Sequence, residues 1–336
     1  MLKRTCLILS LVLLVLMVTL NSSMASDAGQ DKKIVIRYSF VQQMTTPTGR
    51  AGTFLKEYLE EKSGGRVTME IFSDGQLYTD ETEVDALVSG NIDMISPYVG
   101  KLIRVDPKLA VLTAPYVFDD GDSMFEFMQT PKYNAVICKK LNNLGLSVLG
   151  LQYGGGTAWW SPKKMFMTLE DFKGMKIRDA GASQITNAIY QSVGGSSVTV
   201  AFNDLYMAMQ TGMMDMGLMS LESAVPSKMQ EAAKYCVQAG VSSAPYFIMF
   251  NTTIFRSYPE DVQQMILDGL KLAGEYQYIT IQAQVEECKQ LIVDEGVQYY
   301  ELTETEKKVF KDAWFPIIAQ NADPDIWKAL SEFYGR

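Results

Sequence analysis

The chain has 336 residues, with 30 lysines and arginines against 39 aspartates and glutamates, a formal net charge of −9, and no histidine. An acidic chain repels nucleic acid and anionic lipid, so no nucleic-acid partner is expected. The lack of histidine excludes Ser-His-Asp and Cys-His catalysis and histidine-ligated zinc. The composition therefore favours a binding protein without catalytic residues, metal or cofactor over an enzyme.

The first 25 residues have the pattern of a secretory signal peptide. Lys3 and Arg4 form a basic start, residues 7–20 are an almost continuous apolar run, and Ser23 and Ala25 are small residues before a cleavage site. The apolar run is shorter than the roughly 20 residues that a bilayer-spanning helix needs. We therefore predict a periplasmic protein, cleaved near Ala25, whose mature chain has a formal net charge of −11 because only two basic residues are removed.

Three cysteines remain in the mature chain, Cys138, Cys236 and Cys288. Because their number is odd and none are closely spaced, at most one disulfide could form, and the fold cannot depend on a disulfide framework. Which pair would form it, if any, is left open. The mature length suggests two domains.

Apolar runs typical of strands alternate with amphipathic helical runs, which is the pattern of α/β domains. The helix after the first strand, for example, has an apolar stripe from Ala51 to Leu59 and is followed by Gly64 and Gly65. In the first half of the mature chain the pattern predicts strands over 33–40, 67–72, 92–96 and 147–152, and helices over 48–62 and 79–89.

The second half continues the alternation and ends in one long periodic segment. The pattern predicts strands over 176–178, 198–200 and 247–251, a helix over 183–193, and a helix through Gln210 with Asn203 as its N-cap. From Pro259 the helical period runs on to Gly296, although Gly269 and Gly274 weaken it. An unbroken helix would be about 50 Å long and could tie two domains together. The alternative is a coiled coil or an ordinary packing helix.

Several ordered blocks resemble the solute-binding receptors of TRAP (tripartite ATP-independent periplasmic) transporters, the DctP-like family. They are Thr168-Leu169-Glu170-Asp171-Phe172-Lys173-Gly174-Met175-Lys176-Ile177-Arg178, then the segments 202–215 and 228–235, with 64–67, 75–77 and 89–94 in the N-terminal half. The resemblance implies an α/β fold of two lobes with hinge strands and a long helix spanning both. It suggests lobe I at 33–154 plus 244–282 and lobe II at 155–243 plus 283–336. It also implies delivery of the ligand to small and large membrane permease subunits.

In that family the arginine of the Lys-Ile-Arg strand grips a ligand carboxylate, a role that falls on Arg178. A guanidinium offers two parallel donors to a carboxylate, whereas the alternative is a structural ion pair. The sequence departs from the family pattern at two polar positions. Thr157 stands where a second arginine is common, and Met219 stands where an asparagine is common.

A site with a single arginine needs other sources of affinity. Micromolar binding requires about 8 kcal/mol, and an aromatic ring that buries roughly 150 to 250 Å² contributes about 4 to 6 kcal/mol. We therefore predict a monocarboxylate with an aromatic or apolar body, such as an aryl or indole acid or an aromatic amino acid such as tryptophan. The candidate walls are Trp159, Trp160, Phe202, Met219, Tyr98, Tyr116 and Tyr246. Ser220 and Glu222, with Thr157, are expected at the polar end of the ligand.

Three alternatives stay open. The ligand could be a C4-dicarboxylate, a sugar acid or an aliphatic 2-oxo acid. The protein could be an exported hydrolase that uses acidic residues such as Asp179, Asp215 and Glu222, or a receptor that presents its ligand to a chemosensor. The exact ligand, the coupling ion and the oligomeric state do not follow from the sequence.

Overall fold

The computed structural model of the protein describes residues 33–335, apart from the side chains at 133–136. The predicted signal peptide therefore lies outside the described residues. Between residues 33 and 335, no helix combines the length and the hydropathy that a membrane span requires.

The described residues alternate between strands and helices along most of the chain. The strands are β1 (Ile34–Ser39), β2 (Val67–Phe72), β3 (Met94–Ile95), β4 (Leu146–Tyr153), β5 (Thr157–Ser161), β6 (Lys176–Asp179), β7 (Ser196–Thr199), β8 (Gly217–Ser220), β9 (Tyr235–Gln238), β10 (Pro245–Asn251) and β11 (Gln298–Glu301). The α-helices are α1 (Pro47–Lys62), α2 (Glu83–Val88), α3 (Gly121–Met128), α4 (Pro131–Asn143), α5 (Gln184–Ser192), α6 (Leu205–Gln210), α7 (Leu221–Ala224), α8 (Met229–Ala232), α9 (Thr252–Ser257), α10 (Glu260–Asp294), α11 (Glu304–Asn321) and α12 (Pro324–Tyr334). Short 3-10 helices cover Val99–Leu102, Pro107–Thr113, Leu169–Phe172 and Phe202–Asp204.

Every strand and helix predicted from the sequence is present, although α2 and β3 are shorter than expected. The N-cap prediction at Asn203 is wrong. Asn203 lies inside a 3-10 helix, and its side-chain amide donates to the carbonyl oxygen of Asp74 at 3.1 Å instead of capping α6. The strands β5, β8, β9 and β11 were not predicted. No disulfide links Cys138, Cys236 and Cys288 in the described residues.

Two sheets form the cores of two α/β lobes. The first sheet has the order β2-β1-β3-β10-β4, in which β1 is parallel to β2 and β3 while β10 is antiparallel to both its neighbours. The second has the order β11-β9-β5-β8. The parallel pair β6 and β7 lies beside it, linked by a bridge between Ile177 and Met216.

Two extended segments cross between the lobes side by side. The chain leaves β4 through residues 154–156 and returns to β10 through residues 242–244. The N–H of Gly154 donates to the carbonyl of Ala244 at 2.8 Å, and the N–H of Thr157 donates to the carbonyl of Ser242 at 3.0 Å. These are the hinge strands of the fold. The exact lobe boundaries remain a proposal, because α12 packs against α4 and against the 3-10 helix at 107–113, both in the part assigned to lobe I.

The third connection is α10, which is unbroken over 35 residues and therefore roughly 50 Å long. It packs against α1 and β4 in the first lobe and against α7 and β11 in the second. A glycine is needed at position 269 because α10 packs closely there. A Cβ at this position would lie only 2.8 Å from side-chain atoms of Leu55 and Tyr58. Near the middle of α10, the buried amide of Gln277 accepts the N–H of Tyr153 at 3.1 Å and donates to the Thr48 hydroxyl at 3.2 Å.

Candidate functional site

A cavity of about 90 Å³ lies between the two lobes, beside the crossing segments. Its walls come from the loop after β1, the 3-10 helix at 99–102, the end of β6, the start of α5 and the end of β8. The strand ends and loops of both lobes thus converge on one cavity. This is the position in which a two-lobed protein can bury a ligand by closing.

Arg178 is the central charged group of this cavity. It lies on β6 and is only 7% exposed. Its Nε donates to the carbonyl of Val200 at 3.1 Å, and one terminal nitrogen donates to the carbonyl of Leu218 at 3.5 Å. Among the described residues no carboxylate lies within salt-bridge distance of it. The structural ion pair that was the alternative role for Arg178 is therefore not formed there.

The electrostatic surroundings of Arg178 are nevertheless mixed. Burial lowers the pKa of its guanidinium, whereas the nearby negative charges of Asp80 and Asp179 raise it. Arginine keeps its charge under ordinary conditions. The cavity therefore contains a buried cation that the protein orients through two carbonyl groups but does not neutralise by direct contact.

Lys101 is a second cation in the wall that the sequence-based prediction missed. It is 5% exposed, and its Nζ lies 3.2 Å from a carboxylate oxygen of Asp80 and 2.5 Å from one of Glu81. An ammonium has three N–H donors, so these two partners leave one. The signal in the sequence was a single lysine within the otherwise apolar run 97–103, because a lysine in such a run is buried only if it is paired.

The lobes contact each other directly beside the cavity. The Phe202 N–H donates to the Asp80 carboxylate at 3.2 Å, close to the bond between Asn203 and Asp74. Gly181 also approaches Gly100 so closely that a Cβ on Gly181 would lie 2.4 Å from the Gly100 carbonyl oxygen. These contacts indicate a closed arrangement of the cleft.

The remaining wall combines aromatic rings with hydroxyl groups. The rings of Tyr98 and Tyr246 are 5.6 Å apart between centroids, and Tyr190 and Phe202 also line the space. Burial raises the pKa of Tyr246 to about 12, so its phenol is neutral. Six hydroxyl side chains line the cavity as well, namely Thr113, Thr157, Thr186, Ser220, Ser223 and Ser242.

Most of the residues predicted for the site do line this cavity. They are Arg178, Thr157, Phe202, Met219, Ser220, Tyr98 and Tyr246. The two positions at which the sequence departs from the family pattern, Thr157 and Met219, are thus both in the wall. Glu222 lies in a smaller cavity next to it.

Three of the predicted walls need correction, because Trp159, Trp160 and Tyr116 do not line the cavity. The two tryptophans lie on β5, which is a central strand, and they point to opposite faces that are both covered. The ring of Trp159 packs edge-on against Phe172 at 5.2 Å, and the indole N–H of Trp160 donates to the carbonyl of Met219 at 2.9 Å. The ring of Tyr116 stacks in the core as well. All three are core residues.

Two of the three carboxylates considered for a hydrolase, Asp179 and Asp215, have structural partners. Asp179 accepts the backbone N–H groups of Gly181 at 3.0 Å and Ser183 at 2.8 Å, which fixes the turn before α5. Asp215 forms an ion pair with Lys163 at 2.6 Å. Burial raises the pKa of Asp215, but Lys163 and backbone donors reverse this and leave it below its usual value. Residues 33–335 contain no cluster of acidic or cysteine side chains arranged to hold a metal ion.

Comparison with known proteins agrees with this geometry. The model of the family described as bacterial extracellular solute-binding protein, family 7, matches residues 38–324. The chain belongs to this family. Among its relatives, the C4-dicarboxylate-binding periplasmic protein DctP of Rhodobacter capsulatus is 25% identical over 292 residues, which cover 86% of this chain and 87% of the relative. The sialic acid-binding periplasmic protein SiaP of Vibrio cholerae is 23% identical over 264 residues, 78% of this chain and 80% of the relative.

Solved structures share the fold of this family 7 solute-binding protein. A TRAP periplasmic solute binding protein from Shewanella oneidensis with bound succinate superposes with a TM-score of 0.83 at 23% identity, covering 89% of this chain and 99% of that one. One from Desulfovibrio salexigens with bound orotic acid gives 0.83 at 20% identity, covering 90% and 98%. The predicted family and the two-lobed fold with hinge strands and a long helix are therefore confirmed.

Proposed function

We propose that the protein is the extracytoplasmic receptor of a TRAP transporter, and that it captures a small polar organic acid of the C4-dicarboxylate kind. The single observation that carries this proposal is Arg178, a buried guanidinium in the interlobe cavity with no carboxylate partner among the described residues. The acid, once enclosed, is delivered to the membrane permease. The protein performs no chemistry on it.

The carboxylate follows from the state of Arg178. A buried charge without a counter-ion costs several kcal/mol, and a carboxylate that accepts two parallel N–H bonds from the guanidinium offsets this cost. The carbonyl groups of Val200 and Leu218 hold the side chain in one orientation before the ligand arrives. Less conformational entropy is then lost when the ligand binds.

The size and polarity of the cavity favour a small polar acid over an aromatic one. About 90 Å³ is well below the roughly 300 to 1,000 Å³ of pockets for drug-sized ligands. The remaining N–H of Lys101 and the six hydroxyl groups offer donors to a second carboxylate or to hydroxyl substituents. The aromatic acid predicted from the sequence is less favoured, because both tryptophans expected to contact its ring belong to the core.

The relatives support the same choice. The DctP proteins of Rhodobacter capsulatus and Vibrio cholerae are named for binding C4-dicarboxylates. Similar structures hold succinate, and one from Pseudomonas aeruginosa with a TM-score of 0.80 holds L-malate. Others hold galacturonate or glucuronate, which makes a sugar acid the second candidate. The hydroxyl-rich wall is the observation in this chain that favours it.

Closure of the lobes is the proposed step that encloses the acid. The Phe202 N–H bonds to Asp80 and the Asn203 amide bonds to Asp74 across the cleft. These bonds form only when the lobes are together, so they stabilise the closed form that a permease can recognise. Two of the residues that make them, Asp80 and Phe202, also line the cavity, so closure and the cavity wall share these side chains.

Isothermal titration calorimetry on the mature protein, refolded from denaturant to remove any ligand acquired in the cell, tests this proposal. We expect succinate or L-malate to bind at micromolar concentration or tighter, and D-galacturonate and indole-3-acetate to bind at least a hundredfold more weakly. Galacturonate as the tightest ligand would replace the C4-dicarboxylate by the sugar acid. Tight binding of indole-3-acetate alone would restore the aromatic ligand, and a lack of binding to every acid would overturn the receptor function.

A further inference from the structure

A second, smaller cavity adjoins the ligand cavity. The two share Gly154, Ser220, Ser223 and Tyr246 in their walls. The smaller one has a volume of about 10 Å³, which is about the space for one water molecule. It can therefore hold one small group that projects from a ligand in the main cavity, but not a ligand of its own.

The walls of this small cavity contain unpartnered polar atoms from both lobes. Glu222 on α7 is 4% exposed, and its Oε2 has no hydrogen-bond partner among the described residues. Gln42 from the opposite lobe is 2% exposed, and its side-chain amide lies beside the Tyr246 phenol but forms no hydrogen bond of good geometry within residues 33–335. Buried polar atoms are normally hydrogen-bonded, so these three atoms point to a group that the protein itself does not supply.

The approach of Glu222 to this cavity depends on a glycine. Gly155 in the crossing segment has a φ of +85°, and a Cβ there would lie 2.7 Å from the Glu222 Oε2 and 2.6 Å from the Ser220 Cβ. Any other residue would be strained by its backbone and would collide with the carboxylate. The carboxylate is thus held at the lobe junction by local backbone geometry.

We infer that the small cavity is a subsite for one hydrogen-bond-donating substituent of the bound acid, a hydroxyl or an ammonium, accepted by Glu222. This inference rests on the proposed function and narrows its ligand to hydroxy- or amino-substituted acids. A substituent of that size fits the space, and its hydrogens satisfy the unpartnered oxygen. A C–H at the same place cannot donate a hydrogen bond, so the polar atoms of Glu222 and Gln42 stay without a partner. The unsubstituted acid therefore gains no affinity from this cavity.

The charge around Glu222 supports the same assignment. No cationic side chain forms an ion pair with it among the described residues. Burial raises the pKa of Glu222 to about 6, although a backbone N–H and the Ser220 hydroxyl oppose this shift, so the group is largely ionised at neutral pH while its Oε2 lacks a partner among the described residues. A donor from the ligand stabilises this ionised form, and an ammonium does so more than a hydroxyl because it is charged.

The test compares acids that differ at one substituent. Four acids are titrated, namely succinate, 2-methylsuccinate, L-malate and L-aspartate. The proteins are the wild type, Glu222→Gln, and Gln42→Met, whose substitution lies in the opposite lobe. The control is Glu287→Gln, which changes an exposed residue on α10. Thermal unfolding of each variant establishes that it is folded. The wild type should bind malate or aspartate at least tenfold more tightly than succinate, and methylsuccinate no more tightly than succinate.

In Glu222→Gln the preference for the donor-bearing acid should fall at least fivefold, while the affinity for succinate stays within twofold and the Glu287→Gln control matches the wild type. The fall should be larger for aspartate than for malate. Equal affinities for succinate, malate and aspartate in the wild type would overturn the inference and leave only a water molecule in the cavity. An equal loss for all acids in Glu222→Gln would also overturn it, as a structural role. Failure of every acid to bind would instead overturn the proposed function.

Discussion

Removal of the Arg178 guanidinium gives the most direct measure of how the cavity holds a carboxylate. One of its nitrogens is engaged by Val200 and another, at a long 3.5 Å, by Leu218, which leaves N–H donors for the ligand. Two charge-assisted bonds contribute about 1.5 to 3 kcal/mol each. Arg178→Ala should therefore weaken binding of the preferred acid by roughly 10² to 10⁴-fold.

Arg178→Lys separates charge from shape. A lysine keeps the positive charge but cannot offer two parallel donors, so it should recover only part of the affinity, and binding should stay about ten- to a hundredfold weaker than in the wild type. The free energy of unfolding should change by less than about 2 kcal/mol in either variant. Loss of the bond to Val200 costs about 1 kcal/mol in both variants, and in Arg178→Ala the relief of the buried charge offsets it.

The assay is calorimetric titration together with urea unfolding of each variant. Arg104→Ala is the matched control, because Arg104 is an exposed arginine of lobe I that pairs with Asp85 outside the cavity. It should bind like the wild type. An affinity of Arg178→Ala within threefold of the wild type would refute the role of Arg178 in binding the carboxylate.

Three further outcomes are expected. Trp159→Ala should lower the free energy of unfolding by about 3 to 5 kcal/mol, measured by urea unfolding, because the ring is a core residue. The affinity of the folded variant for the ligand should be unchanged. A weaker affinity in a variant that is fully folded would contradict this expectation. Gly181→Ala should weaken ligand binding at least tenfold in calorimetry, because the new Cβ would meet Gly100 only when the lobes close. For the same reason, the thermal unfolding midpoint of the ligand-free variant should stay within a few degrees of the wild-type value. An unchanged affinity would mean that this contact does not limit closure. Burial raises the pKa of Glu222 from 4.5 to about 6, so the ionised form penalises folding above pH 6 and the penalty disappears as the pH falls towards 4.5. Ligand-free Glu222→Gln should therefore be more stable than the wild type by about 2 kcal/mol at pH 7 and equal to it near pH 4, and a difference that does not vary with pH would contradict this.

The sequence predicted the strands and helices that carry the site better than it predicted the contacts of their side chains. The strand bearing Arg178 and the helix α10 follow from apolar periodicity and from the resemblance, both of which are visible along the chain. The role of Asn203 could not be predicted from the sequence, because its partner Asp74 is 129 positions away and belongs to the other lobe. A cap and a contact across the lobes use the same side-chain amide, and only the folded chain distinguishes them.

The two tryptophans illustrate a different limit. Adjacent residues on a strand do point to opposite faces, as Trp159 and Trp160 do. The sequence could not show that β5 is a central strand, so that helices cover both of its faces. Lys101 was missed for a related reason. Its burial depends on Asp80 and Glu81, about twenty positions earlier, and that pairing is a property of the folded lobe.

Since α10 belongs to both lobes, it acts as a lever arm. Gln277 fixes its middle to the end of β4 and to the start of α1, beside the hinge. A bend of about 10° at that point would move the far end of the helix by roughly 4 to 5 Å, because half its length is about 26 Å. If closure of the cavity bends the helix at that point, it also displaces the far end of α10. A membrane partner can detect such a displacement without contacting the ligand.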